Sequence, residues 1–157
     1  MNKRPIIFFH CIFAFLIISS CDKEKVFDEI VAIPSDGWAA DKVIKFDMPV
    51  NDINKTFDIL LHFRNSGSYE YSNVWLFIET KSPNGNSLLD TFEIKLSDDS
   101  GKWLGKGIGD VNNMFVPYKQ NILFPVRGIY QVSVTQAMRD STLGHVLDFG
   151  LRLQYHK

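Results

Sequence analysis

Cysteine is nearly absent. Cys11 and Cys21 are the only two in 157 residues, which excludes a disulfide framework or a cysteine-rich zinc site. An excess of one charge is absent as well: 17 bases meet 18 acids for a net charge of −1. Nothing here would neutralise a run of phosphates, so nucleic acid is not an expected partner. Only one apolar stretch nears membrane length, which excludes a bundle of transmembrane helices. Ten glycines and six prolines, with 13% aromatic residues, suit short strands and turns better than helices. Charged residues at 22% and hydrophobic ones at 45% are ordinary for one globular domain with its own core.

The apolar stretch opens the chain. Lys3 and Arg4 form a basic start, and residues 6–18 are a 13-residue run broken only by His10. That is shorter than the roughly 20 residues a spanning helix needs, and it reads as a secretory signal. The run ends in Leu16-Ile17-Ile18-Ser19-Ser20-Cys21, which resembles a bacterial lipobox: an aliphatic residue three before the cysteine, then small residues. The expected signal peptide is residues 1–20, with cleavage before Cys21 and acylation of its thiol, palmitate included. Loss of Lys3 and Arg4 leaves the mature chain 15 bases against 18 acids, a net −3, and no free cysteine. Each buried acyl methylene contributes about 0.8 kcal/mol, and stable anchoring takes more than one chain. Asp22 has two readings, retention in the inner membrane in some bacteria and surface display in others.

Residues 21–37 read as a lipidated tether, with Pro34 and Gly37 as breakers. Residues 38–157 read as one domain whose apolar period is two. Ile44, Phe46 and Met48 alternate with Lys45 and Asp47, and Phe57, Ile59, Leu61 and Phe63 share a face. Residues 73–80 are apolar on both faces through Val74, Trp75, Leu76, Phe77 and Ile78, as a central strand covered on both sides would be. Phe92, Ile94 and Leu96 repeat the alternation, as do Tyr130, Val132 and Val134, and then Leu147, Phe149, Leu151, Leu153 and Tyr155. Pro83-Asn84-Gly85-Asn86 is a hairpin signal, since Asn-Gly supplies the positive φ angles of a primed turn. Residues 136–143 have room for one helical turn. About seven strands at this spacing predict an all-β fold, a two-layer antiparallel β-sandwich. On that reading Trp75 is a core residue whose truncation to alanine costs roughly 3–5 kcal/mol.

Candidate chemistry is sparse. His10 leaves with the signal and His156 ends the chain, so His62 and His145 remain. Neither has further ligands at the close spacing a zinc site needs, and no metal or cofactor is expected. His145 near Asp148 resembles a base and its orienting acid, yet no serine stands in a nucleophile-elbow context. The expectation is no enzyme, with His145 at the surface and His62 on the polar face of its strand. Residues 101–110 hold four glycines but lack the Gly-Lys-Ser/Thr ending of a phosphate loop. They read as a long ordered loop on which Trp103 packs down. Lys102, Trp103 and Lys106 on this loop, with Tyr69 and Tyr71 before the central strand, form the expected partner surface. Exposed tyrosines on a sandwich also stack on sugar rings, so a glycan-binding surface module is the alternative.

An ordered set of short blocks adds a resemblance. Phe63-Arg64-Asn65 is followed by Tyr69-Glu70-Tyr71-Ser72-Asn73-Val74-Trp75-Leu76, then Asp90-Thr91 and Gly101-Lys102-Trp103-Leu104-Gly105-Lys106-Gly107. Phe124-Pro125, Gly128, Tyr130, Gln136-Ala137-Met138-Arg139 and Asp148-Phe149-Gly150-Leu151-Arg152 complete it. Behind a lipobox, this order resembles the gliding motility lipoprotein GldH family of Bacteroidota. The resemblance implies a non-enzymatic envelope lipoprotein, needed for gliding and for the allied type IX secretion system. It implies other gliding and secretion lipoproteins and outer-membrane components as partners. Of site residues it carries over only Cys21, and it tilts the expected location to the outer membrane.

Overall fold

The computed structural model describes residues 24–157; the expected signal peptide and Cys21 lie outside the described residues. Within them the chain is all strand and connection: β1 (Lys25–Ala32), β2 (Trp38–Ala39), β3 (Ile44–Val50), β4 (Phe57–Ser66), β5 (Asn73–Lys81), β6 (Ser87–Lys95), β7 (Val111–Ile122), β8 (Gly128–Gln136), β9 (Thr142–Leu143) and β10 (Val146–Tyr155). Two four-stranded sheets form, in the orders β1-β10-β4-β7 and β3-β8-β5-β6, and β2 pairs with β9 in a short ribbon. All pairings are antiparallel. The all-β expectation holds.

Period two explains why these sheets stack. The inward residues Phe57, Ile59, Leu61 and Phe63 of β4 and Phe149, Leu151 and Leu153 of β10 are buried. They face Ile44, Phe46, Met48 and Val50 of β3, Val74, Leu76 and Ile78 of β5 and Val132 and Val134 of β8 in one core. Burying each such side chain contributes about 1.5–3 kcal/mol. Trp38 closes one end: it is fully buried, its Nε1 donates to the Lys42 carbonyl at 3.0 Å, and its ring lies 5.3 Å from Phe149. At one lateral edge Tyr118 of β7 donates to Asp90 of β6 at 2.5 Å, and Lys119 pairs with the same carboxylate at 2.8 Å. The two sheets are thereby stitched where neither strand has a second neighbour.

Several expectations are corrected. Residues 25–32, placed in the tether, form β1 and pair with β10 along its length. The alternation of the sequence predicts no strand over residues 111–122, where β7 stands. Both are edge strands with register shifts, and β7 carries Pro117 opposite Leu60, so bulges and proline break the alternation that marks a strand. Residues 136–143 form no helical turn but the end of β8, a connection and β9. The 82–86 hairpin is present, yet only Gly85 takes a positive φ, of 89°. Asn84 does not, so the loop is a five-residue turn closed by Ser82 N–H on the Asn86 carbonyl at 2.8 Å.

Trp75 is the largest correction. It is 39% exposed and Phe77 46% exposed, because the outer face of the β3-β8-β5-β6 sheet meets solvent and only its inner face is covered. Antiparallel sheets permit this. Trp38 is the buried tryptophan. Trp38→Ala is therefore expected to lower unfolding stability by about 3–5 kcal/mol, and Trp75→Ala by less than about 1 kcal/mol. Urea denaturation of the two variants checks the order, and a larger loss at Trp75 would contradict it.

Candidate functional site at the loop end

The topology sorts the connections. Residues 67–72, 96–110, and the stretches 33–43 and 137–145 that carry β2 and β9 gather at one end. Residues 51–56, 82–86 and 123–127, with Glu24 and His156, lie at the other. All five residues of the expected partner surface fall at the first end, here called the loop end.

Tyr71 ties two of its connections together, donating its hydroxyl to the Asp140 carboxylate. That hydrogen bond, helped by some burial and by the charges of Asp140 and Glu70, raises the Tyr71 pKa above its ordinary value. Tyr69 does not reach solvent. The turn made by Tyr69 N–H on the Ser66 carbonyl folds its ring back to an edge-on contact with Phe63, at 5.9 Å. Its hydroxyl donates to the Asn73 carbonyl at 3.1 Å, and burial pushes its pKa up, with smaller contributions from Tyr71 and Asp140. Tyr69 therefore leaves the exposed set. Beside Tyr71 runs an open groove of about 400 Å³ lined by Asn73, Trp75, Met138, Arg139 and Asp140. Trp75 and Met138 entered no site expectation. A period-two reading of Val74–Ile78 as a strand with one wet face would have exposed Trp75.

The glycine-rich loop is ordered by its own bonds. The Asp98 carboxylate accepts from the Ser100 hydroxyl at 2.6 Å and from the Ser100 and Lys102 backbone at 2.9 and 3.0 Å. These donors, the Ser100 hydroxyl first, hold the Asp98 carboxyl below its usual range. Leu104 N–H reaches the Leu96 carbonyl at 2.8 Å, and Lys106 exchanges two backbone bonds with Asn113 at 2.8 and 3.0 Å. A Cβ at position 107 would sit 1.6 Å from the Val111 carbonyl oxygen, so only glycine lets the loop turn so close to β7. Trp103 packs partly against the core, while Lys102 and Lys106 stand in solvent. Ile108 at the tip is 95% exposed.

A second polar grouping lies on the outer face of the β1-β10-β4-β7 sheet. His62 is 3% exposed under a stacked Phe115, 4.6 Å away. Its Nε2 meets Asn113 Oδ1 at 2.5 Å, and its Nδ1 lies 3.4 Å from Asp148 Oδ1. Asp148 also takes Arg64 Nε at 3.0 Å. The imidazole partner of Asp148 is thus His62 and not His145, which is exposed, at a φ of 65°, between β9 and β10. Diagonal neighbours on adjacent strands meet in this way, and the β4–β10 register was the missing information. Sealed beneath Phe115, the His62 ring offers no face to a substrate; the cluster links β4, β7 and β10. Arg152 extends it, 4.1 Å over the Phe115 ring and 2.8 Å from Asp28 of β1.

The comparisons with known proteins join this geometry to a family. The family model described as GldH lipoprotein matches residues 25–153, from β1 into β10. This chain belongs to the GldH lipoprotein family. It is 37% identical over 150 residues to the "Gliding motility lipoprotein GldH homolog" of Christiangramia forsetii, covering 91% of each chain. It is 31% identical over 148 residues to the "Gliding motility lipoprotein GldH" of Flavobacterium johnsoniae, covering 90% of this chain and 91% of that one. Among solved structures, dimeric latent PorU from Porphyromonas gingivalis aligns with a TM-score of 0.33 and 11% identity over 85% of this chain and 13% of its own. That likeness carries no argument. As a GldH-family member the protein is a lipoprotein of the cell envelope, held at the membrane by a lipid anchor.

The Asp28–Arg152 pair sets an acid limit on this sheet. Burial alone would raise the Asp28 pKa, but the hydrogen bond and charge of Arg152, then those of Lys25, outweigh it and hold it below the ordinary value. A depressed carboxyl contributes stability above its unfolded pKa and loses it as pH falls through the folded value, here below about pH 4. Asp28→Asn is expected to cost about 1 kcal/mol near neutrality, with the difference from wild type shrinking in acid. Urea unfolding across pH measures this; a difference that stays constant down to acid pH would contradict it.

Proposed function

We propose that this chain is a non-enzymatic protein of gliding motility, acylated at Cys21 and anchored in the outer membrane. It acts as an assembly or stabilising component of the motility apparatus and of the type IX secretion machinery. The observation that carries this reading is the family match across nearly the whole described domain, joined to relatives named for gliding motility. The loop end supports it with a surface suited to protein contact: Tyr71, Lys102, Trp103 and Lys106, beside exposed Leu104 and Ile108. Tyrosine and tryptophan side chains are the usual anchors of such contacts. The partners are other gliding and secretion lipoproteins and outer-membrane components of that machine.

Deletion in the native host, complemented by wild type or Cys21→Ala, tests this reading. Colony spreading and secretion of a type IX cargo should both fail in the deletion, return with wild type, and return poorly with the unlipidated form. Normal spreading and secretion in the deletion would end the proposal. Lys102→Glu with Lys106→Glu should reduce recovery of partner proteins while leaving the fold intact, and unchanged recovery would remove the loop from the contact surface.

One observation favours a second reading. Trp75 lies exposed beside Tyr71 in an open groove with Asn73, Arg139 and Asp140, an arrangement of aromatic faces and polar groups that suits a sugar ring. Titration with polysaccharides under tryptophan fluorescence tests it. A saturable shift absent in Trp75→Ala supports a glycan module, and no shift with any glycan tested removes it.

A further inference from the structure

We propose that the end of the sandwich opposite the loops is a membrane-contact surface, resting on lipid headgroups through Leu88, Leu123 and Ile129 with Lys81 and Arg127 beside them. The proposal builds on acylation at Cys21. Its first support is the length of chain available. Tyr155 N–H donates to the Glu24 carbonyl at 2.9 Å, and the Glu24 carboxylate pairs with Lys157 at 2.8 Å. The backbone is therefore attached to the sandwich from residue 24 onward. Three peptide units separate Glu24 from Cys21 and reach at most about 11 Å when fully extended. The headgroup layer of one leaflet is itself about 5–8 Å thick. An acylated Cys21 thus brings this end of the domain against the bilayer and turns the loop end away from it.

The second support is the composition of that end. The β6 register puts Leu88 on the inward side with Asp90, Phe92 and Ile94, yet Leu88 is 56% exposed. The opposite layer does not cover it, and with Leu123, 61% exposed, it rims an apolar crevice that also holds Ile59, Ile122 and Phe124. Ile129, 49% exposed, stands at the same end on β8, on the outer face of the sheet and separated from β6 by β5. Lys81 is exposed beside Ile129 and Arg127 is exposed two residues before it, and no carboxylate pairs with either among the described residues. Apolar side chains that enter the interface, flanked by cations that meet phosphates, are the pattern of an interfacial membrane contact. A second copy or a protein partner on this surface is an outcome the test separates.

The mature chain has no cysteine besides Cys21, so single labels are straightforward. Leu123→Cys and, at the loop end, Ile108→Cys are made in the lipidated full-length protein and coupled to an environment-sensitive fluorophore. Both are reconstituted in phosphatidylethanolamine–phosphatidylglycerol vesicles that carry a headgroup-linked quencher. A seated surface should give at least about threefold stronger quenching at position 123 than at 108. Protein that floats with the vesicles but is equally quenched at both positions, or unquenched at 123, overturns the proposal and leaves lipidation standing. Protein without acyl mass on Cys21, or that fails to float, removes the anchor and the proposal together. A position 123 shielded from the headgroup quencher yet shielded from water as well assigns the surface to a protein contact instead.

Discussion

The pairing of β1 with β10 is the constraint on which the rest of the structure depends. β10 has β4 on one side, and β1 on the other turns it into an interior strand. Its inward residues then reach the middle of the core, where Phe149 packs on Trp38 and Phe46. Its outward residues must share space with two neighbours. Gly150 provides that space: a Cβ there would lie 2.8 Å from the Glu29 carbonyl oxygen and 3.1 Å from His62 Cβ. Without the glycine, β1 and the His62 ring could not both sit against β10. The same pairing brings Asp28 to Arg152 and so extends the His62–Asp148 cluster across the sheet. It also decides where the chain enters the domain, since an antiparallel partner of the last strand must begin where that strand ends.

The fold was legible where one face of a strand is buried and the other wet. β3, β4, β6, β8 and β10 announce themselves by alternation, because runs of three or more apolar residues, such as Phe92, Ile94 and Leu96 after the inward Asp90 of β6, repeat at every second position. β1 and β7 did not, for a shared reason. An edge strand has one neighbour, tolerates bulges and proline, and so need not keep its period. β5 reads as a strand, but its surroundings are not legible: Val74-Trp75-Leu76-Phe77-Ile78 is apolar throughout, and sequence alone does not say whether the second face meets protein or water. That single ambiguity placed Trp75 in the core and hid the groove beside Tyr71. Tyr69 erred in the other direction. A tyrosine in a turn between strands reads as exposed, and only the Ser66–Tyr69 hydrogen bond shows the ring folding inward. His62 and Asp148 are 86 residues apart in the chain, and nothing short of the β4–β10 register brings them together.

The arrangement that results has two unlike ends. One carries Glu24 and the C-terminus, the uncovered Leu88 and Leu123, and Lys81 and Arg127, which pair with no carboxylate among the described residues. The other carries the long connections, braced by Tyr71–Asp140, by the Asp98 turn and by the Lys106–Asn113 bonds, with aromatic and lysine side chains facing outward. The buried polar residues of the sheet face, His62 and Asp148 among them, tie strands together and are closed to solvent. Under the proposed seating, a rigid sandwich held by one end at a membrane would position whatever its other end binds. The distance between the ends is set by strands of seven to twelve residues, about 23–41 Å at the rise of an antiparallel strand. A component whose role is to hold partners at a fixed height above a bilayer needs a stiff spacer with a short tether. The β1–β10 pairing, which attaches the chain to the sheet from Lys25 onward, is what would give the proposed seating such a spacer.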